Sequence, residues 1–397
     1  MIQRIHPMKS HPLLLCWFSL LTAMLMVSAN CQAEDSAPPA SPEVTTALQP
    51  YLDNFKMAGI ISIIADRTGT IRYRNLLGYA DVETRQPISE TNTFWIASMS
   101  KMFVGASIMM LVDEGKVSLD DPVTNYIPEL AKWMVLTESN ADHVLLKPVV
   151  RPVTLRHLLS HTSGLTGLSE LQRTVGADRA PLKFRTLSSV TGPLQSQPGD
   201  KYAYGNQGMN IAARVVEIVS GMPYEEFVQK RIFDPLQMTE TTFWPNQEQI
   251  ARLAGVYGPN KETNGFAHGR VEFLTTPYDD RVHRFPEAAG GLFSTTHDIL
   301  RYGLMLANDG ELDGHRCLSS AAMKELRTEQ TGATRANYSL GYHLRNGMFG
   351  HDGAYGTDLS VNPQTGMIAI FMVQCTSGDQ WAARDQFLKT ATQIFKN

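Results

Sequence analysis

The chain has 397 residues, of which 43% are apolar and 19% are charged, and its formal net charge is −4. This composition can supply the core of one large domain or of two lobes, whereas the mild charge and the lack of a long basic run argue against nucleic acid as the main partner. The sequence contains no H-E-x-x-H and no paired C-x-x-C, so we predict neither a metal site nor a cofactor.

Residues 1–33 have the pattern of a secretory signal peptide. Arg4 and Lys9 form a basic start, and the apolar run at 13–27 is short for a helix that spans a bilayer. We therefore expect export to the periplasm or the medium, with no membrane span once the signal is removed. An uncleaved membrane anchor is the alternative interpretation of this segment.

The preferred cleavage position follows Ala33, and a position after Ala29 is the second choice. A lipoprotein site at Cys31 is less favoured because Asn30 is a poor residue to precede it. Residues 34–43 are rich in Ala, Pro and Ser, and we predict that they form a flexible leader to the folded domain.

Two cysteines, Cys317 and Cys375, remain after this leader. An oxidising compartment would allow a disulfide between them, but nothing in the sequence indicates one. Cys375 follows the apolar run at 367–374, so we expect it to be a buried and unreactive thiol.

The first predicted elements of the folded domain are strands and one long helix. Helical pattern begins near Val44. A buried strand at 59–66 and a second strand at 71–79, joined by a turn at 67–70, are predicted to form an antiparallel hairpin. The next helix is predicted from Met99 to Glu114, where the following glycine ends it.

Helical pattern with long polar loops then continues from 119 to about 285. The clearest later segments are helices at 153–160 and 210–220, strands at 359–361 and 367–373, and a closing amphipathic helix at 380–395. Sheet elements thus lie at both ends of the chain. This order predicts an α+β fold in which an antiparallel sheet flanked by helices (about 44–118 and 286–397) carries an all-helical insertion lobe (about 119–285).

The most informative sequence is S-x-x-K at Ser98 and Lys101. Residues three apart on a helix are neighbours on one face, so a hydroxyl and an amine meet there. A lysine of lowered pKa can take the proton of a serine, or hold the base that does, and so make the hydroxyl a nucleophile. Alone the motif is weak, since about one is expected by chance in a chain of this length.

Two further sequences follow in order, Y-G-N at 204–206 and H-D-G at 351–353. Together with S-x-x-K, they make the chain resemble the penicillin-recognising serine hydrolases, the group of class C β-lactamases, D-alanyl-D-alanine carboxypeptidases and related esterases. Further similar segments lie at 94–97, 111–122, 154–164 and 290–295. The resemblance covers nearly all of the mature chain and implies a β-lactamase/transpeptidase-like fold.

This resemblance implies a role for each residue of the first two motifs. Ser98 would attack a carbonyl and form an acyl-enzyme, and Lys101 would share or accept its proton. Tyr204 would be the general base or would relay the proton to the leaving group, which requires that a nearby ammonium lower its pKa. The sequence leaves open whether the lysine or the tyrosine is the base.

The resemblance also implies how substrate is held. Asn206 would orient Lys101 and bind a substrate carbonyl, and the backbone N–H groups of Ser98 and Ala354 would form an oxyanion hole. Gly353 would let the substrate approach the edge strand closely.

The third motif departs from the K-T-G of the β-lactamases. His351 replaces a lysine by a titratable imidazole, and Asp352 replaces a hydroxyl donor by an acceptor when ionised. An acid beside this strand would oppose an anionic substrate, unless Asp352 points away from the cleft. The substitution therefore favours an uncharged ester, or an amide bound by other groups, over a β-lactam.

Other polar residues receive structural interpretations. We predict that His157 and His161 are structural, and that Arg281, Arg284 and Arg345 are solvated at the surface rather than bound to a substrate carboxylate.

Three functional hypotheses follow. The first is an exported serine hydrolase acting through an acyl-enzyme on a small-molecule ester or amide. The second keeps this mechanism with a D-alanyl peptide or a β-lactam as substrate. The third is a non-catalytic binding protein on the same fold, since a fold alone does not fix a function. The physiological substrate and the oligomeric state are not predicted.

Overall fold

The computed structural model describes residues 37–260, 262–271 and 274–395. From Pro38 onward the chain forms one compact unit. The predicted signal peptide and its cleavage positions lie outside the described residues. Within these ranges, no helix combines the length and the apolar character that crossing a membrane requires.

The described residues form α-helices joined by short strands and turns. The helices are α1 (Pro42–Asp53), α2 (Ser100–Asp113), α3 (Leu155–Leu159), α4 (Glu170–Val175), α5 (Leu182–Ser188), α6 (Gln207–Ser220), α7 (Tyr224–Val228), α8 (Gln247–Ala251), α9 (Thr296–Ala307), α10 (Ser320–Leu326) and α11 (Asp379–Phe395). The strands are β1 (Gly59–Ala65), β2 (Ile71–Asp81), β3 (Gln86–Pro87), β4 (Phe94–Trp95), β5 (Met134–Ser139), β6 (Val144–Pro148), β7 (Tyr257–Asn260), β8 (Gly265–His268), β9 (Phe293–Ser294), β10 (Glu311–Leu312), β11 (His315–Arg316), β12 (His343–Arg345), β13 (Met348–Asp352), β14 (Asp358–Val361) and β15 (Ile368–Met372).

A seven-stranded sheet joins the two ends of the chain. Its strand order is β12-β13-β14-β15-β1-β2-β3, and its pairs are antiparallel. The predicted first hairpin is confirmed as β1 and β2, and the predicted late strands are confirmed as β14 and β15. In the centre, Ile63 of β1 lies between Arg74 of β2 and Ile370 of β15.

β1 is buried along its whole length because helices cover both faces of the sheet. Ile60 and Ile64 belong to a buried cluster with side chains of α1 and α11, whereas Ile61 and Ile63 belong to the larger cluster that includes side chains of α2 and α9. Successive side chains of a strand point to opposite faces. The unbroken apolar run in the sequence is therefore what a strand between two helical layers requires.

α2 carries the S-x-x-K sequence and is buried on every side. The residues from Ser100 to Leu111 are all buried, which is the pattern of a helix at the centre of a domain. A 3₁₀ turn at Ala97–Met99 precedes it, so the α-helix begins one residue after the predicted start. Its predicted end is confirmed, since Gly115 takes the left-handed conformation at φ +65°.

The segment between about 119 and 285 contains α3 to α8, as its helical pattern predicts, but it also contains two hairpins. β5 pairs with β6, and β7 pairs with β8. All residues of β6 are exposed, so this strand has no buried face that would produce an alternating pattern in the sequence. The insertion therefore differs from the all-helical lobe that was predicted.

α1 begins at Pro42, inside the segment predicted as a flexible leader. The Ser41 hydroxyl caps the helix by accepting from the Val44 N–H at 3.2 Å. Asn75 on β2 holds Ser41 through hydrogen bonds to its N–H at 3.1 Å and its C=O at 2.9 Å. The leader prediction is thus wrong for its last residues, because this cap ties them to the sheet.

Cys317 and Cys375 are both buried and free of a disulfide. Burial raises the pKa of both thiols, to about 11 for Cys317. A raised pKa keeps each sulfur in its unreactive thiol form, which agrees with the inert state expected of Cys375.

A glycine on α2 offers a test of the packing around the helix. A Cβ on Gly105 would lie 2.0 Å from the carbonyl oxygen of Leu340. We expect Gly105→Ala to lower the free energy of unfolding by about 1–3 kcal/mol, although alanine is the better helix former. Urea unfolding followed by circular dichroism measures this loss. Gly192→Ala is the matched control, since nothing lies within 4 Å of its Cβ position, and an equal loss in both variants would contradict the argument.

Candidate active site

The residues just before Ser98 are held in place by contacts with β9 and with Gly290, which precedes it. β4 pairs with β9, and the Trp95 indole N–H donates to Gly290 O at 2.7 Å. Ala97 takes a left-handed φ of +46°, a costly conformation for a residue with a Cβ. Ser98 follows in the 3₁₀ turn that leads into α2, so its hydroxyl is held at the start of that helix.

Lys101 is fully buried, and oxygen atoms surround its amine. Nζ lies 2.9 Å from Ser98 Oγ, 2.8 Å from Asn206 Oδ1 and 2.9 Å from Ala289 O. Amide and carbonyl oxygens only accept hydrogen bonds. A neutral amine must therefore donate its two hydrogens to Asn206 and Ala289, which leaves its lone pair directed at Ser98 Oγ.

Two opposing effects set the charge of Lys101. Burial lowers the pKa of the amine to about 7, while the carboxylates of Glu287 and Asp352 favour its protonated form. The neutral and the protonated amine are therefore both populated at neutral pH. This is the condition under which one group can take a proton and return it.

The loop that carries Ala289 is held beside Lys101 by three residues that the sequence analysis did not identify, Arg185, Asn210 and Glu287. The Arg185 guanidinium pairs with Glu287, and these side chains are only 1% and 3% exposed. Asn210 on α6 donates to Glu287 Oε1 at 2.8 Å and accepts from the Ala289 N–H at 3.3 Å. The one signal in the sequence is the polar Asn210 among apolar residues of α6, which does not identify its partners.

Tyr204 lies beside the amine, with its ring centre 4.9 Å from Lys101 Nζ. The residue is 43% exposed, but its hydroxyl makes a hydrogen bond with Ser98. Desolvation raises the pKa of this hydroxyl above its usual range, and the hydrogen bond only partly opposes that rise. The prediction that a neighbouring ammonium lowers this pKa is therefore wrong, because desolvation of the phenolate has the largest effect on it.

His351 is buried and neutral. Its Nδ1 lies 2.6 Å from the carbonyl oxygen of Asp352, and its Nε2 lies 3.0 Å from the Tyr338 hydroxyl. Because a carbonyl only accepts, Nδ1 carries the proton and Nε2 accepts from Tyr338. Burial and the neighbouring His343 keep the pKa of His351 well below its usual value. The expectation of an imidazole that titrates in place of the lysine is not met.

Asp352 is surrounded by groups that balance its charge. Its carboxylate lies 2.5 Å from Arg384 Nη1, 3.2 Å from Arg345 Nη2 and 3.2 Å from His343 Nε2. Desolvation alone would raise its pKa, but the hydrogen bond from His343 and the nearby positive charges hold the pKa well below its usual range. Asp352 is thus not a free acid facing substrate, and Arg345 is an ion-pair partner rather than a solvated side chain.

Gly353 is required by contacts within the protein. A Cβ there would lie 2.1 Å from Thr357 Oγ1 and 2.4 Å from the carbonyl oxygen of Ile96. The Gly353 N–H donates to Thr357 O at 2.7 Å. This close packing places the end of β13 against the residues just before Ser98, and the next residue, Ala354, is exposed.

The four other residues with structural interpretations lie in different surroundings. Arg284 is 2% exposed and donates to backbone carbonyls, so its predicted place at the surface is wrong. Arg281 is exposed, as predicted. His157 is structural, since it completes the capping box of α3. His161 is buried with its ring centre 4.7 Å from that of Tyr204, so it forms part of the wall of the site.

One group of potential metal ligands is present among the described residues. Ligand atoms of His343, His351 and Asp352 lie within 4.8 Å of one another. They are already engaged with each other, with Tyr338 and with two arginines. These fixed positive charges oppose a bound cation, so the group fits an internal hydrogen-bond network better than a metal site.

The fold and the geometry around Ser98 and Lys101 are those of a serine hydrolase. The chain belongs to the Beta-lactamase family, whose model matches residues 46–393. The predicted family, the β-lactamase/transpeptidase-like α+β fold and the enzyme class are thereby confirmed.

Two relatives and one solved structure illustrate the range of this family. The chain is 31% identical to lovastatin esterase of Penicillium rubens over 316 residues, which cover 73% of this chain and 75% of that protein. It is 27% identical to penicillin-binding protein 4 of Amycolatopsis lactamdurans over 304 residues, which cover 72% and 73%. The structure of EstCE1, a hydrolase with promiscuous acyltransferase activity, matches with a TM-score of 0.73 at 21% identity, covering 88% of this chain and 97% of that one.

The buried ion pair beside Lys101 generates a prediction on stability. Removing the charge of Glu287 leaves the Arg185 guanidinium buried without its counter-charge. We expect Glu287→Gln to lower the free energy of unfolding by about 3–5 kcal/mol, measured by chemical denaturation. Glu170→Gln is the matched control, since Glu170 and Arg173 form an exposed pair whose loss costs about 1 kcal/mol or less. A small effect at Glu287 would show that the pair contributes little.

Proposed function

We propose that the protein is an exported serine hydrolase that forms an acyl-enzyme on Ser98 and cleaves uncharged carboxylic esters or small amides. The observation that carries the proposal is the set of contacts around Lys101. A buried amine of pKa about 7, with its lone pair directed at a serine hydroxyl, is an arrangement for activating that serine. Export rests on the pattern of residues 1–33 alone.

In the acylation step, neutral Lys101 accepts the proton of Ser98 as Oγ attacks the substrate carbonyl. The backbone N–H groups of Ser98 and Ala354 stabilise the resulting oxyanion. The protonated lysine then returns the proton to the leaving alcohol or amine, and the bond from carbonyl to leaving group breaks. Asn206 keeps the amine oriented throughout and contributes its amide N–H to a substrate carbonyl.

Tyr204 acts in this scheme as a hydrogen-bond donor rather than as the base. Its raised pKa favours the protonated phenol at neutral pH, which supports a role as donor over a role as base. Its hydroxyl is placed to steer the proton of Lys101 towards the leaving group. In the second half of the reaction, water attacks the acyl carbonyl and Lys101 takes its proton. Lys101 then returns the proton to Ser98 Oγ as the bond from the acyl carbon to Oγ breaks and the acid departs.

The charge around the edge strand favours neutral substrates. His351 is neutral, and the guanidinium groups of Arg345 and Arg384 are engaged by Asp352. Among the described residues at this edge, a substrate carboxylate would have to compete with Asp352 for a cation. Tyr204 is 43% exposed beside Lys101, and its ring suits an apolar substrate.

A D-alanyl peptide or β-lactam substrate is the second candidate. It is favoured by the similarity to penicillin-binding protein 4, whereas the similarity to lovastatin esterase favours an ester. These two substrate classes differ in charge, because the peptide and the β-lactam carry a carboxylate. A non-catalytic binding protein would not need the amine directed at Ser98.

The chemistry is tested by mass spectrometry of the mature protein after brief exposure to an activated short-chain ester and, in parallel, to a penicillin. We expect turnover of the ester through an adduct whose mass is that of the acyl group, and no such reaction in Ser98→Ala. A stable penicillin adduct would favour the second candidate. No reaction with either reagent, or turnover that survives in Ser98→Ala, would refute the proposal.

The identity of the base is tested by the pH dependence of acylation. The neutral amine is the active form, so the rate should be low in acid and rise through pH of about 7 to a plateau. Rapid-mixing measurement of the ester burst gives this profile. Lys101→Arg, whose side chain stays protonated, should lose about 10²–10⁴-fold in rate. Lys116→Arg, at an exposed position after α2, is the control. A profile that does not rise through pH of about 7, or an undiminished rate in Lys101→Arg, would refute Lys101 as the base.

A further inference from the structure

The last helix reaches the strand end that faces Ser98. Gln380 and Arg384 are four residues apart on α11, so they lie on one face of it, and they are only 4% and 7% exposed. We propose that Arg384, assisted by Gln380, is a positioning residue that fixes the end of β13 and the oxyanion-hole N–H that follows it. This inference rests on the proposed function, since the hole serves the acyl transfer at Ser98.

Arg384 acts through the carboxylate that precedes Gly353. Its Nη1 lies 2.5 Å from Asp352 Oδ2, to which Arg345 also donates at 3.2 Å, while His343 lies 3.2 Å from Oδ1. The carboxylate is therefore held from α11 and from the edge strand β12 at once. Charge-assisted hydrogen bonds of this kind are stronger and more directional than neutral ones, so the position of the Asp352 side chain is well defined.

Gln380 contacts Ala354, the residue that follows Gly353. Its Nε2 donates to the carbonyl oxygen of Ala354 at 3.3 Å. One face of α11 thus contacts both Asp352 and Ala354. Gly353, which lies between them, has no side chain of its own to make such contacts. The two contacts flank the Gly353–Ala354 peptide, which carries the Ala354 N–H, and so limit how far this peptide can rotate.

The fixed strand end is in turn packed against the nucleophile segment. Gly353 contacts the carbonyl of Ile96, and Thr357 Oγ1 donates to the same oxygen at 3.2 Å. Ile96 is two residues before Ser98. The distance between the two N–H groups of the oxyanion hole is therefore set by a chain of contacts from α11 through β13 to the start of α2. Donors held in place before reaction stabilise a developing oxyanion most strongly.

The test compares Arg384→Met with Arg384→Lys, and uses Lys389→Met on the exposed side of α11 as the control. Reactive Ser98 is first counted by labelling each folded variant with a fluorophosphonate, and kcat and KM for a neutral ester are then expressed per labelled site. We expect Arg384→Met to label fully and to lose about 10–10²-fold in kcat with little change in KM. Arg384→Lys should recover part of kcat because an ammonium can still pair with Asp352. Lys389→Met should match the wild type.

Several outcomes would overturn the inference. One is a kcat per labelled site in Arg384→Met equal to that of the wild type, even if its melting temperature is lower, which would mark a purely structural role. Another is a lysine variant as impaired as the methionine variant. If Arg384→Met does not fold, Gln380→Leu decides, because it leaves the ion pairs intact, and an unchanged kcat there also overturns the inference. Failure of wild-type Ser98 to label would refute the proposed function instead, so the two failures are distinguishable.

Discussion

The burial of one lysine amine is the constraint on which the rest of the site depends. An amine removed from water must find hydrogen-bond partners inside the protein or its burial is strongly unfavourable. Lys101 finds them in Ser98, Asn206 and Ala289, which come from three separate parts of the chain. The loss of water brings the pKa of the amine to about 7. The same burial therefore explains both why the fold must close around Lys101 and why this residue can exchange a proton.

The surroundings of Lys101 limit how far that pKa falls. Glu287 is a buried carboxylate that favours the ammonium, and Arg185 in turn balances Glu287. Asn210 links the pair to the loop that presents Ala289. Buried ion pairs are often nearly neutral for stability compared with apolar residues of the same volume. Because the Arg185–Glu287 pair lies beside Lys101, it also influences the pKa of the amine.

The edge of the sheet shows how a sequence motif can mislead when its charge is considered alone. In H-D-G, the imidazole is expected to titrate, and the acid is expected to oppose an anionic substrate unless it points away from the cleft. In the folded protein, burial makes His351 neutral, and Asp352 is balanced by Arg345, Arg384 and His343. The argument for the proposed preference for neutral substrates therefore changes, from repulsion by a free acid to the engagement of Arg345 and Arg384 by Asp352.

The sequence by itself determined the class of fold, the order of the main strands and helices, and the short motifs that hold Ser98, Lys101, Tyr204 and Asn206. Local periodicity, capping residues and motif spacing carry that information, because they depend on residues close together in the chain. It did not determine the exposed hairpins in the insertion, which lack an alternating buried face. Only the tertiary structure decided the charge states of the site, because desolvation and ion pairing depend on groups far apart in sequence. The partners of Asp352 and the Arg185–Glu287 pair are of this kind, and the pKa of Tyr204 moved opposite to expectation for the same reason.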